Sequence, residues 1–450
     1  MDSKRRTRCP RHKDAPFGIL TQVFPTGERL PTLIDHRTGL PPLLPLRFAL
    51  KRRFAWGSPN TPAVYLRRIG DLYGWYSLYG FDLDSLIVSG EPVDLRDISR
   101  ALVELDAGWI VLRERGAQRL IAGHISWDAD DFAPAPIANV RAHNLRLLVW
   151  VMFLRWVLRP ANWRGGRNLH ASEASRQCWN DTIDNLDSFL SDELRRGGTS
   201  QRRSGFTAKE LEVLEAVLAP DSLGRFSTGF FAPAVQYRNY VIYLMARWGG
   251  LRIGEILNTH VEDIPAGSLG LTHLWVKRRH DDAEEPRLIA PSVKRGGRKV
   301  PMPDDSLDAV RTFIRRHRRS TKWPDLLLAD THDMPLSYAR AGDIAKQVRR
   351  YASREFERRH PGEAHTLDKF SWHRLRHTRA RELLPLYVQL DKPYRESHGM
   401  RQFLEVFGWA AESSAEPYIW ELQQEHAVAL AHRIIEDDIA RLWDDDTLPS

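Results

Sequence analysis

The stretch that decides the fold is SWHRLRH, Ser371–His377. Ser371 is a favourable N-cap, so the sequence predicts that a helix begins here. His373 and Arg376 are three residues apart and share one face of that helix, whereas Leu375 points elsewhere. A proton-transfer group and a guanidinium then lie together, which is what a pentacoordinate phosphorus transition state requires. Such a pair also occurs on ordinary surface helices, so the interpretation depends on the rest of the chain.

Upstream of this stretch, GLRIGEI (Gly250–Ile256) connects two predicted helices. The first of these is predicted over Gln236–Trp248 and ends at a pair of glycines. Arg252 therefore lies beside free backbone N–H groups, which form a natural phosphate site. Taken alone, the same pattern fits a C-capped helix followed by a solvated arginine.

A second basic segment, KRGGRKVP (Lys294–Pro301), predicts a tight turn of a β-hairpin with basic residues on both sides. Strand-like residues around Leu271–Val276 and Arg298–Met302 flank a charged connection. A lysine on such a turn can reach the leaving oxygen of a phosphoester and protonate it. Lys294 is the first candidate for this role, and Lys277 and Lys299 are close alternatives.

Downstream, Phe407-Gly408-Trp409 is followed by Tyr418, nine residues after the tryptophan. A phenol at this point is a candidate nucleophile. The alternative is a packing tyrosine on an amphipathic helix, here predicted over residues 416–433.

Jointly and in this order, the four signals resemble the catalytic signature of the tyrosine recombinase, or phage integrase, family. The resemblance covers roughly residues 207–433 and differs from the family pattern in two ways. Trp409 stands where a second histidine is usual; an indole N–H can donate a hydrogen bond but cannot shuttle a proton. The spacing from Arg376 to Trp409 is 33 residues, about ten more than the resemblance leads us to expect.

The resemblance implies a role for each candidate residue. Arg252 and Arg376 would clamp the scissile phosphate, while His373 and Lys294 would handle protons. Tyr418 would attack the phosphate and leave a 3′-phosphotyrosine and a free 5′-hydroxyl. Since that ester conserves the bond energy, religation would need no ATP, cofactor or metal. Together with Trp409, these residues form the predicted catalytic set.

The fold class implied is mainly α with a small β-sheet (α+β), in which a helical core-binding domain and a catalytic domain form a C-shaped clamp round DNA. The sequence RRGGTSQRRSG (Arg195–Gly205) is a linker without periodicity. The first 60 residues hold 12 Lys and Arg and 4 Asp and Glu, so their net charge of +8 equals that of the whole chain. The predicted organisation is a basic N-terminal arm with at most a short hairpin over 1–45, a helical core-binding domain over 46–195, a linker over 196–206, the catalytic domain over 207–433 and an acidic, amphipathic tail over 434–450.

Composition excludes several classes of protein. The chain has 450 residues, 42% hydrophobic and 28% charged, which fits an ordered globular protein. Its two cysteines, Cys9 and Cys178, cannot form a disulfide framework or a zinc site by themselves. The longest apolar stretch, Leu147–Leu158, is shorter than the about 20 residues that a membrane helix needs. We therefore expect a cytoplasmic protein, associated with the nucleoid when bound to DNA, with no metal and no membrane partner.

The function predicted from the sequence is site-specific recombination of double-stranded DNA, for integration or excision of a mobile element. The expected assembly is a homotetramer on synapsed sites and a monomer or dimer when free, with accessory DNA-bending or directionality proteins as further partners. Two alternatives stay open: a catalytically silent DNA-binding protein on the same scaffold, and an enzyme resembling a type IB topoisomerase or a telomere resolvase.

Overall fold

The computed structural model describes most of the chain. The described residues are 15–52, 60–91, 93–106, 140–159, 173–195, 205–221, 224–226, 232–266, 273–279, 282–318, 321–391 and 398–420. The predicted tail at 434–450 and most of the helix predicted over 416–433 lie outside them, as does Cys9. None of the helices described is long and apolar enough to cross a membrane.

The chain divides into two compact units, and both are mainly helical. The first comprises residues 1–200 together with 281–288, and the second comprises residues 201–280 and 289–450. The boundary at residue 200 falls within the linker predicted over 196–206.

The first unit begins with an antiparallel hairpin, in which Phe17 pairs with Asp35 and Val23 with Arg29. Helices follow it along the chain. The bounds of these elements are β1 Phe17–Val23, β2 Arg29–Asp35, α1 Leu43–Arg52, α2 Asn60–Leu78, α3 Leu83–Ser89, α4 Leu95–Asp106, α5 Val140–Val157 and α6 Glu173–Glu193.

The core of the first unit lies between α2 and α5. Leu66 and Ile69 of α2 and Trp150 and Phe153 of α5 are fully buried, at the spacing that places apolar side chains on one helix face. Leu33 of β2 joins this core. The region assigned to an extended arm therefore contributes to the folded unit from β1 onward, because Phe17 and Ile19 pack against the same core. The proposed boundary at residue 45 falls inside α1.

The second unit contains the sequence signals described above. Its elements are α7 Ala208–Leu218, α8 Pro233–Arg247, α9 Ile253–Leu257, β3 His273–Val276, β4 Arg298–Pro301, α10 Asp304–Thr312, α11 Tyr338–Arg359, α12 Trp372–Asp391 and α13 His398–Phe407. Residues 416–420 are again helical. The mainly helical α+β class predicted from the sequence is confirmed.

Two local expectations need correction. Lys294–Gly297 is not the tight tip of a hairpin, because β4 pairs with β3 across a connection of about twenty residues, with Val276 opposite Arg298. The helix expected over residues 371–384 continues through Pro385 to Asp391. It does so although proline lacks the N–H that would donate to the preceding turn.

Candidate active site

The junction between α8 and α9 places Arg252 at the start of a short helix. Gly250 has φ +58°, in the left-handed region that favours glycine, and a Cβ there would lie 2.8 Å from the Phe407 ring. The backbone N–H of Arg252 donates to Glu255 Oε2 at 2.9 Å, which caps the first turn of α9. The glycine therefore brings the arginine close to the end of α13.

Glu255 connects the positive side chains of the site. Its carboxylate is buried and pairs with Arg252 Nη1 at 3.1 Å and with Arg298 Nη2 at 2.9 Å. Arg376 Nη1 lies 3.9 Å away. Burial alone would raise the pKa of the Glu255 carboxyl, but attraction to Arg298 and the other guanidiniums holds that pKa below its usual value. Glu255 is therefore ionised and balances part of the arginine charge.

Arg376 and Arg252 converge on the main chain at the end of α13. Arg376 Nη1 donates to the Gly250 carbonyl at 2.6 Å, and its Nη2 donates to the Phe407 carbonyl. Arg252 Nη1 donates to the same Phe407 carbonyl at 3.2 Å and to that of Gly408 at 3.4 Å. The two guanidiniums thus share one acceptor, which fixes them close together.

Burial of Arg376 distinguishes the site from a surface basic cluster. Its side chain is 1% exposed and its guanidinium carbon lies 5.4 Å from the centre of the Trp409 ring. Burial, with repulsion from Arg252, lowers the pKa of Arg376 to about 9, so the guanidinium keeps its charge at neutral pH. His373 and Arg376 are predicted to share one helix face, but they differ in burial. Arg376 is buried because it donates to backbone carbonyls, whereas His373 is exposed to solvent.

Tyr418 lies in an aromatic cluster at the same place. Its ring stacks on Trp409 with centroids 5.5 Å apart and planes 19° apart, and it is 7% exposed. Its hydroxyl is hydrogen-bonded to Nδ1 of His377, one residue after Arg376 on α12. The ring of His373, one helical turn away, contacts that of His377 edge-on, with centroids 4.5 Å apart. The candidate nucleophile, both histidines and Arg376 therefore form one connected group.

The three candidate lysines differ in their surroundings. Lys294 is exposed, and the next residue, Arg295, donates to the Trp409 carbonyl at 2.8 Å. Hydrogen bonds to Glu262 and Asp263 raise the pKa of Lys277, which makes that ammonium a weaker acid. Lys299 follows the buried Arg298 on β4 and is itself exposed. Its ammonium lies 5.0 Å from the centre of the Trp275 ring. Of the three, only Lys294 lies on the segment that contacts Trp409.

Sequence reasoning missed three contributors to this group. Arg298 reads as part of a basic surface run, yet it is 4% exposed, and its position two residues before Val300 on a strand was the available signal. His377 has no role in the predicted catalytic set, although it stands one helical turn after His373. Arg295 gives no signal in the sequence. Among the described residues, no group of three or more His, Cys, Asp or Glu side chains could hold a metal ion.

Comparison with known proteins finds a family similar to this part of the chain. Residues 228–392 match the model of the phage integrase family. This segment is similar to the catalytic domain of phage integrases. The integrase domain as matched includes Arg252, Lys294, His373 and Arg376 and ends before Trp409 and Tyr418.

One solved structure similar to the chain is the crystal structure of XerA recombinase. The two are 13% identical over 74% of this chain and 98% of that one, with a TM-score of 0.32. No curated protein matches the chain in sequence.

Proposed function

We propose that the protein is a site-specific tyrosine recombinase that cleaves and rejoins double-stranded DNA through a 3′-phosphotyrosine at Tyr418. The observation that carries this proposal is the hydrogen bond between the Tyr418 hydroxyl and His377 of α12, the residue that follows the buried Arg376. A tyrosine that only filled space would not need its hydroxyl beside a histidine and within the electrostatic reach of the buried Arg376. The integrase domain at residues 228–392 supports the same chemistry.

The proposed reaction exchanges one phosphoester for another. A bond forms between Tyr418 Oη and phosphorus while the phenol proton passes to a base of the site and the bond from phosphorus to the 5′ oxygen breaks. Arg252 and Arg376 would leave their carbonyl acceptors in part and donate to the non-bridging oxygens, where negative charge develops. The departing 5′ oxygen takes a proton from Lys294 or His373. Religation reverses these steps, so no external energy source is required.

The proposed biological role is integration or excision of a mobile element. Strand exchange between two duplexes requires four active sites, and we propose a tetramer on synapsed DNA. Accessory DNA-bending proteins fit the same proposal. Attachment-like repeats in the DNA next to the gene would support the mobile-element role.

The nucleophile is tested by replacing one hydroxyl. Tyr418→Phe should abolish the covalent adduct with a nicked suicide duplex while DNA binding stays within a few-fold, because only the attacking oxygen is removed. Tyr387→Phe is a matched control, since Tyr387 lies on α12, is half-buried and packs against Phe403 of α13 in the same aromatic cluster. Denaturing electrophoresis after incubation with labelled duplex measures the adduct.

The same assay examines the metal-free mechanism and the alternative of a silent DNA-binding protein. Wild-type adduct should form at an undiminished rate in excess EDTA. A covalent adduct that persists in Tyr418→Phe would exclude Tyr418 as nucleophile, and absence of any adduct with the wild-type protein would favour the silent binder.

A further inference from the structure

The hydroxyl of Tyr418 contacts a histidine to which the catalytic set assigns no role. His377 Nδ1 hydrogen-bonds to that hydroxyl, and the two rings lie 5.5 Å apart with their planes 30° apart. Trp409 stacks on the same tyrosine ring. The phenol is therefore oriented by stacking on Trp409 and by a hydrogen bond between its hydroxyl and His377 of α12.

His373 and His377 stand at different depths of the site. His373 is exposed, whereas His377 is half-buried and holds the nucleophile. The ring of His373 meets that of His377 edge-on, with the two ring centroids 4.5 Å apart. His373 is therefore open to the outer side of the site, and His377 is hydrogen-bonded to the attacking oxygen of Tyr418.

We propose that His377 positions Tyr418 and accepts its proton during attack, leaving His373 and Lys294 to serve the departing oxygen. The inference rests on the proposed function. As Tyr418 Oη bonds to phosphorus, its proton passes to Nδ1, and the bond from phosphorus to the 5′ oxygen breaks. That oxygen takes a proton from His373 or Lys294. On religation the proton on His377 returns to the phenol.

The hydrogen-bond chemistry requires one form of the ring. For Nδ1 to accept a proton, His377 must be neutral and carry its hydrogen on Nε2. Arg376 is the preceding residue on the helix, and its buried, positively charged guanidinium interacts electrostatically with Tyr418. The same charge stabilises negative charge that develops on the phenol oxygen. His377 is thus placed to receive the proton that the phenol loses.

A change of leaving group distinguishes the roles of the two histidines. We would measure single-turnover adduct formation with a normal nicked duplex and with one that carries sulfur in place of the bridging 5′ oxygen. Sulfur departs as a thiolate and needs no proton, because thiols are far more acidic than alcohols. His377→Ala should slow adduct formation by about 10²-fold or more on both duplexes. His373→Ala should slow it on the normal duplex and recover on the sulfur duplex.

His377→Asn separates proton transfer from geometry. The amide of asparagine reaches the position of Nδ1 and preserves a hydrogen bond to Tyr418, but it cannot take up a proton. We expect wild-type melting temperature and DNA binding with an adduct rate near that of His377→Ala. This variant also carries the test if the alanine protein fails to fold.

Three results would overturn the inference. A wild-type adduct rate in His377→Ala or in His377→Asn would exclude His377 as proton acceptor. Recovery of His377→Ala on the sulfur duplex would move His377 to the leaving group. Failure of the wild-type protein to form an adduct on either duplex would overturn the proposed function itself, and the inference with it.

Discussion

At the scale of single residues, Glu255 lies among three arginines whose like charges repel one another. It pairs with Arg298 and Arg252, and Arg376 is 3.9 Å away. A buried carboxylate with these partners keeps the guanidiniums together without a bound phosphate. Removing one partner of a buried ion pair leaves charge uncompensated, which is more costly than never having formed the pair.

This arrangement predicts a pH-dependent loss of stability in Glu255→Gln. At neutral pH the variant should lose about 3–5 kcal/mol of unfolding free energy. The folded pKa of Glu255 lies below the reference value of 4.5. The stabilisation is therefore complete above pH 4.5 and is lost as the pH falls through the folded pKa. Denaturant unfolding at several pH values should show the difference from wild type shrinking below pH 4.5.

Glu363→Gln is the control for this measurement. Its ion pair with Lys209 is exposed on both sides, so its loss should leave the unfolding midpoint nearly unchanged. A Glu255→Gln deficit that stays constant from neutral pH down to strongly acidic pH would contradict the ion-pair account.

At the scale of elements, sequence patterns located helices well and their contacts poorly. The capping box of α7 follows directly from Thr207 and Glu210, and both of its hydrogen bonds are present. The pairing of Arg298 with Glu255 joins residues 43 positions apart. No local pattern encodes it, since it depends on how β4 packs beside α9. The contact of Tyr418 with His377 was inaccessible for the same reason.

The segment before β4 provides a prediction at this scale. A Cβ on Gly296 would lie 2.3 Å from Arg278 Cβ and 2.4 Å from the Arg278 backbone nitrogen, so the two segments approach too closely for any side chain. Gly296→Ala should therefore cost about 1–3 kcal/mol of unfolding free energy. It should also slow adduct formation, because the segment carries Lys294. Chemical denaturation and the suicide-duplex assay measure the two effects.

Gly342→Ala is the matched control. Gly342 lies within α11, and a Cβ there meets nothing within 4 Å. Alanine should raise stability by about 0.5–1 kcal/mol, because glycine is a poor helix former. Equal stability of the two alanine variants would mean that the close approach at Arg278 is easily relieved.

At the scale of the whole molecule, the basic opening segment and the first folded unit overlap more than the sequence indicated. Part of the basic opening segment belongs to the first unit, since Leu33 of β2 and Phe48 of α1 are buried in its core. Deleting residues 1–53 would thus remove core side chains as well as charge. Residues 1–14 lie outside the described residues and hold six basic and two acidic side chains.

Deletion of residues 1–14 should weaken DNA binding and flatten its dependence on salt. The slope of log affinity against log salt should fall by about 0.9 for each phosphate that the protein no longer neutralises, because fewer counterions are released. Titrations of a labelled duplex at several salt concentrations measure that slope. A second variant that keeps the length but carries glutamine at the six basic positions should reproduce the change. An unchanged slope in both would show that this segment does not bind phosphate.

The carbonyls of Phe407 and Gly408 that hold Arg252 and Arg376 have a genetic consequence. These acceptors belong to the peptide backbone, so a substitution at position 407 that preserves the backbone conformation keeps the carbonyl. Its effect then comes from the loss of the Phe407 ring. Alleles that disturb the arginines should instead shift the backbone itself. Insertions or deletions in α13 would do so, as would any side chain at Gly408, whose φ is +55° and whose Cβ would lie 2.8 Å from Arg298 Nη1.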